Sequence, residues 1–164
     1  MSYKQAVARS TIRSYELILV LISDLSDADL LVRPVPKANH IAWQLGHLIL
    51  QERLLIGPQA PGVKYPELPE GFEQQYSDAS AETEPPTGFL KKSEYVALLA
   101  QTHHATMAAL AGFSDEDLDR SIPGDAGIKA PTLGDLFLSV SSNIGFHQGQ
   151  FAIVRRKLGK PVLY

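Results

Sequence analysis

The 164-residue sequence contains no cysteine, so disulfides, thiolate metal ligands and a cysteine nucleophile are excluded at the outset. A formal net charge of −3 at pH 7 argues against a nucleic-acid surface, which needs a concentrated basic patch. Hydrophobic residues at 45% and charged residues at 20% suit one globular domain over residues 1–164, long enough to bury its own core. No apolar run approaches the roughly 18–20 residues of a membrane span, and Met1-Ser2-Tyr3-Lys4-Gln5 does not open a signal peptide, so no membrane partner and a cytoplasmic location are expected.

Residues from about Tyr3 to Ser23 read as the first helix. Ala6, Ile12, Tyr15, Leu19 and Ile22 recur at helical spacing, and Leu17, Ile18, Val20 and Leu21 make its far half apolar almost all round, as in a helix buried on several sides. Leu25-Ser26-Asp27-Ala28-Asp29-Leu30 follows, with Ser26 placed to cap a short turn over Asp29, and Arg33-Pro34-Val35-Pro36 then imposes an extended connection. A second helix is expected from Asn39, as its N-cap, to about Ile56, where Gly57-Pro58 stops it. Ile41, Leu45, Leu48, Glu52 and Leu55 trace one stripe, and His40, Gln44, His47 and Gln51 trace a second beside it. His40 and His47 lie about 10 Å apart along the axis, too far to share one metal ion directly. His40, in the first turn, is expected to cap backbone or meet water, whereas His47 sits where a neighbouring helix can bring a second histidine alongside. Trp43 and Glu52 flank this line, Trp43 as packing bulk and Glu52 as a solvated or supporting carboxylate.

Residues 57–88 hold Pro58, Pro61, Pro66, Pro69, Pro85 and Pro86, six of eleven prolines. The segment is too long for a plain helix connection of about 2–8 residues, and Tyr65, Phe72 and Tyr76 favour its packing onto the body as a crossover or a lid. A third helix is expected from Lys92 or Ser93 to Ala111, with Ser93 as N-cap and Gly112 as its stop. Tyr95, Val96, Leu99, Thr102, His103, Thr106 and Leu110 mark its inward side; His103 and His104 point about 100° apart, so at most one of them faces the core. Phe113-Ser114-Asp115-Glu116-Asp117-Leu118 echoes the acidic turn at 25–30, hinting at an internal two-fold repeat. The fourth helix opens at Thr132 as cap, with Asp135 completing a capping box, and ends at Gly159-Lys160-Pro161. The basic cluster Arg155-Arg156-Lys157 lies in its last turns, where the helix dipole favours positive charge.

Four long helices, no strand alternation and two sizeable connections predict an all-α fold, an antiparallel four-helix bundle with a long proline-rich crossover loop. In the last helix, Leu133, Leu136, Phe137, Val140, Ile144, His147, Phe151, Val154 and Leu158 recur at steps of three and four, so His147 points inward. Asn143 lies one turn before it and Gln150 about one turn after it. A buried histidine needs a partner for its ring nitrogens, because an unpaired buried polar group costs roughly 1–3 kcal/mol; a side chain, a water or a metal can serve. The ordinary reading is a core histidine satisfied by a hydrogen bond, and His47 is what gives the metal reading its footing.

Asn39-His40-Ile41-Ala42-Trp43-Gln44-Leu45-Gly46-His47-Leu48, together with His147-Gln148-Gly149-Gln150 and the following basic stretch and Leu158-Gly159-Lys160-Pro161, resembles the DinB/YfiT-like superfamily along nearly the whole chain. The resemblance implies a four-helix bundle, commonly a homodimer, with a divalent metal held by three histidines. It places one ligand at His47 and one at His147, and its remaining histidine falls on position 143. That position is asparagine. Exchanging an imidazole for an amide oxygen, a harder and weaker donor to zinc or nickel, lowers the expected affinity. Either Asn143, His47 and His147 hold the ion with Glu52, Gln44 or water completing the shell, or His147 and Asn143 hydrogen-bond to His47 in a metal-free relic of the site.

With metal, the resemblance implies a thiol-dependent transferase or a hydrolase, with Gln44 and Gln150 orienting the ligands, Gln51, Glu52 and Trp43 beside them, and Tyr65, Phe72 or Tyr76 walling the pocket. Without metal, the same bundle serves as a non-catalytic dimeric binding or scaffold protein. The small-molecule ligand is not identified by the sequence.

Overall fold

The computed structural model describes residues 1–83, 86–122, 131–161 and 163. Pro85 of the expected crossover lies outside the described residues. Four long helices carry the architecture: α1 (Tyr3–Ile22), α3 (Ile41–Ile56), α5 (Lys92–Ala111) and α7 (Leu133–Lys157). Three single-turn helices join them, α2 (Asp27–Leu30), α4 (Phe72–Gln75) and α6 (Asp115–Leu118). The described residues contain no strand, only one isolated bridge between Ser121 and Thr132.

Most helix starts follow their side-chain chemistry. Ser2 with Gln5, Ser26 with Asp29, Ser114 with Asp117 and Thr132 with Asp135 each form a reciprocal capping box that satisfies two otherwise orphan N–H groups. Two starts differ from expectation. The N-cap of α3 is His40 rather than Asn39: the ring Nδ1 of His40 accepts from the Trp43 N–H at 3.1 Å, while the Asn39 carbonyl accepts from Gln44. His40 thus caps backbone. Helix α5 starts two residues earlier than a Ser93 cap allows, because the Glu94 carboxylate reaches back to the Lys91 N–H at 2.8 Å.

The buried stripe of α1 is also rotated from the expected one. Val7, Thr11, Ile18, Leu21 and Ile22 are buried, whereas Ile12 and Val20 are 40% and 44% exposed. The contacts with α7 run through Ser10, Ser14 and Leu21, and the buried Thr11 is satisfied within its own helix, its hydroxyl donating to the Val7 carbonyl at 3.0 Å. Helices α3 and α7 bury the stripes read from their sequences.

Each long helix packs beside two others: α1 against α7 and α5, and α3 against α5 and α7. Partners along α1 and α7 advance together, from Ser10 with Ser141 to Ser14 with Gln148 and Leu21 with Arg155, so these helices run parallel. Helix α5 runs the other way beside α1, with Lys4 at its C-terminal end and Lys92 near Ile22 to Leu25. Helix α3 is parallel to α5, since His40 meets Phe89 and Glu52 meets Thr106. The bundle is therefore antiparallel between α1 and α5 and between α3 and α7, and parallel within the other two pairs. A parallel neighbour requires the chain to return the length of the bundle, which is what the segment between α3 and α5 does.

The two acidic turns close the bundle reciprocally. The Lys4 N–H donates to the Asp115 carboxylate at 2.7 Å, and Lys4 Nζ donates to the Phe113 carbonyl at 2.8 Å, at the end of α5. In the other half, the Lys92 N–H donates to Asp27 at 2.7 Å, and Lys92 Nζ donates to the carbonyls of Ser23 and Leu25, at the end of α1. The sequence echo between residues 25–30 and 113–118 is thus a structural two-fold, with each lysine satisfying carbonyls that a helix end leaves open.

The crossover packs as its aromatics suggest. Phe72 and Tyr76 are buried, and the Tyr76 hydroxyl pairs with that of Tyr95 at 2.5 Å. The Tyr76 ring lies flat against Gly46, where a Cβ would sit 2.2 Å from its nearest ring carbon. Only glycine permits that approach.

The candidate site between the second and fourth long helices

Helices α3 and α7 bring His47 and His147 together, with ring centroids 5.6 Å apart and planes tilted by 52°. His147 is 8% exposed, and its Nδ1 lies 2.8 Å from the Gln44 side-chain oxygen. The amide nitrogen of Gln44 donates to the Asn39 carbonyl at 2.8 Å, so its oxygen is the atom turned toward His147. An amide oxygen only accepts; the His147 proton is therefore on Nδ1, and Nε2 keeps its lone pair. Burial, reinforced by His47 nearby, pushes the His147 pKa down to about 4. The ring is neutral at physiological pH.

His47 is positioned from the opposite wall. Its ring stacks on Trp43 at 4.6 Å and 17°, and Trp43 Nε1 donates to the Ser80 hydroxyl at 3.2 Å. The Tyr76 main chain lies beside the His47 ring and favours its protonated form. Burial lowers the His47 pKa, and the Tyr76 main chain and Asp78 oppose that shift only in part. Tyr76 thus walls the site and brings its main chain up to one of the histidines. Its side chain was legible as a wall, but no side-chain pattern signals a main-chain neighbour from a distant loop.

The other expected site residues divide. Asn143 is half-buried one turn before His147. Gln51 lines a cavity of about 270 Å³ with His47, Leu50, Tyr76, Ser77 and Asp78. Gln150 faces solvent: the inward positions around it are His147 and Phe151, and residue 150 falls on the outer side of α7. Glu52 does not approach the histidines. It lies five residues beyond His47, about 140° around the helix, and bonds to Thr106 of α5. Its burial, only partly offset by Thr106, pushes its pKa up to about 7.

The donor set tests directly whether a metal fits. Two imidazoles sharing an ion at about 2.0–2.1 Å from each nitrogen hold their ring centres on the order of 5 Å apart, close to the observed spacing. His147 also spends its Nδ1 proton on the Gln44 side-chain oxygen, the kind of outer-shell bond that orients metal-ligating histidines. The described residues contain no group of three His, Cys, Asp or Glu side chains able to hold a metal ion. His47 and His147 therefore fit a two-imidazole site, not the three-histidine set.

A sequence model of the DinB superfamily matches residues 11–151, from α1 to the turn after His147. The chain belongs to the DinB superfamily. A crystal structure of a conserved protein from Enterococcus faecalis has the same fold as this DinB-superfamily chain, with a TM-score of 0.71 over 98% of this chain and 99% of that one at 18% identity. No curated protein sequence matches the chain.

Proposed function

We propose that this DinB-superfamily protein binds a divalent ion, zinc or nickel, through His47 and His147, with Asn143 and water filling a partly open shell. We propose further that it carries out a transferase or hydrolase reaction on a small molecule held beside His47. The observation that carries this reading is the pair of facing, half-buried to buried imidazoles, one of which commits its Nδ1 proton to Gln44 and keeps its Nε2 lone pair. When bound, such an ion acts as a Lewis acid that draws the pKa of a coordinated water or thiol toward neutrality. Gln44 holds the His147 tautomer, the Trp43 face holds the His47 ring, and the Gln51 amide and Ser77 hydroxyl offer polar contacts in the adjoining cavity. The homodimer implied by the superfamily would give cover to Phe146, 76% exposed on the outer face of α7.

Asn143 favours a second reading, in which the protein binds a small molecule or partner without metal and without catalysis. Elemental analysis of untagged protein, followed by zinc and nickel titration of wild type, His147→Ala and Asn143→His, separates the two. The metal reading expects ion in the untreated protein, its loss in His147→Ala, and affinity raised about tenfold or more in Asn143→His, as an imidazole replaces an amide donor. A wild type that binds neither ion while Asn143→His does would assign the site to the metal-free reading.

A further inference from the structure

The segment from Gln59 to Pro66 and one flank of α5 enclose a groove of about 850 Å³ that shares no lining residue with the cavity at His47. That volume falls within the range of small-molecule sites, about 300–1,000 Å³. We propose that this groove is a second ligand site, which takes an aliphatic carboxylate of medium chain length.

Three observations lead there. The first is the shape and chemistry of the floor. Ala100, Ala105, Ala108 and Ala109 supply side chains too small to fill the space, and from Ala100 to Ala109 they extend along about 14 Å of helix at 1.5 Å per residue. With Val63 from the facing segment and Phe113 just past the end of α5, they make an elongated apolar trough, which suits a chain better than a compact polar molecule.

The second is that the opposite wall is held in place from behind. The Tyr65 hydroxyl pairs with Thr106 at 3.0 Å, the Arg53 guanidinium lies 5.2 Å from the Tyr65 ring centre, and Arg53 donates to the Pro66 carbonyl at 2.5 Å. A wall already ordered costs a ligand little further ordering, and it does not collapse onto the alanines.

The third is charge. The chain carries 18 acidic against 15 basic residues, yet the ionisable lining groups, apart from the Tyr65 phenol, are Lys64 and His104; no carboxylate lines the groove among the described residues. An anionic head beside Lys64 meets a cation and no lining carboxylate, whereas an ammonium head meets the like charge of Lys64.

Calorimetric titration of the full chain with decanoate, decanol and decylamine, each below its micelle-forming concentration, tests the proposal. Decanoate is expected to bind saturably, one per chain, with decanol and decylamine weaker by about fivefold or more, the worth of one partly exposed charge pair. Lys64→Glu should weaken decanoate by about tenfold and shift the preference toward decylamine. Ala108→Trp, at an exposed position that projects bulk into the trough, should abolish binding while leaving the His147 imidazole resonances in place. If Ala108→Trp fails to fold, the head-group series and Lys64→Glu decide alone. Absence of saturable binding, equal binding of the three probes, or full binding by Ala108→Trp would overturn the proposal. So would a wild-type dimer that Ala108→Trp converts to monomer, since a second copy would then be the occupant.

Discussion

Replacing Glu52 with glutamine should make the protein more stable at neutral and alkaline pH, although it removes a charge from a chain rich in charges. Glu52 is 6% exposed; Thr106 serves the carboxyl group, and Oε1 is buried with no hydrogen-bond partner. An ionised carboxylate there lacks the donors that water would supply, which is why burial lifts its pKa from 4.5 to about 7. The folded state therefore holds this proton over a pH range in which the unfolded chain has released it. Stability from Glu52 is fully present below about pH 4.5 and is lost as pH rises through about 7. A shift of about 2.5 units at 1.36 kcal/mol per unit sets the loss at about 3 kcal/mol. Glutamine keeps an acceptor for Thr106 and cannot ionise. Urea denaturation followed by circular dichroism at pH 5, 6, 7 and 8 should show a variant advantage that grows with pH toward about 3 kcal/mol. The lowered pKa values of His47 and His147 act in the opposite sense, with stability present above pH 6.5 and lost as pH falls toward about 4 for His147. Subtracting wild type from variant at each pH removes their contribution. A difference that stays constant from pH 5 to 8 would refute the assignment of a protonated, buried carboxyl at this position.

Two further outcomes follow from the packing. Gly46→Ala should cost about 1–3 kcal/mol in urea denaturation, because its Cβ would occupy the space of the Tyr76 ring; an unchanged midpoint would mean that the crossover does not press on α3 in solution. Lys4→Met and Lys92→Met should each lower stability by about 1 kcal/mol through unsatisfied helix-end carbonyls, and loss in only one of them would contradict the two-fold.

The elements were legible wherever local chemistry decides them. Thr132 with Asp135 starts α7, and the spacing of Leu133 to Val154 turns His147 inward, because a capping box and a 3.6-residue period act within a few residues. The buried face of α1 was not legible: its far half is apolar on nearly every side, so only the packing against the other helices decides that Ile18 is covered and Val20 is not. At the site, the sequence placed His47 and His147 but misplaced Glu52 and Gln150. Adjacency along a helix does not say which neighbouring helix a side chain meets, and Glu52 meets α5. The Tyr76 main chain, which lies beside one imidazole, leaves no trace in residue type.

The reciprocal lysine contacts bear on more than the helix ends. One joins the first half of the chain to the end of α5, and the other joins the second half to the end of α1. His47 comes from the first half and His147 from the second, so the imidazole pair bridges the seam that the two contacts hold shut. A mutation that loosens the seam should change the spacing of the two imidazoles, so the pair reports on how tightly the halves are joined.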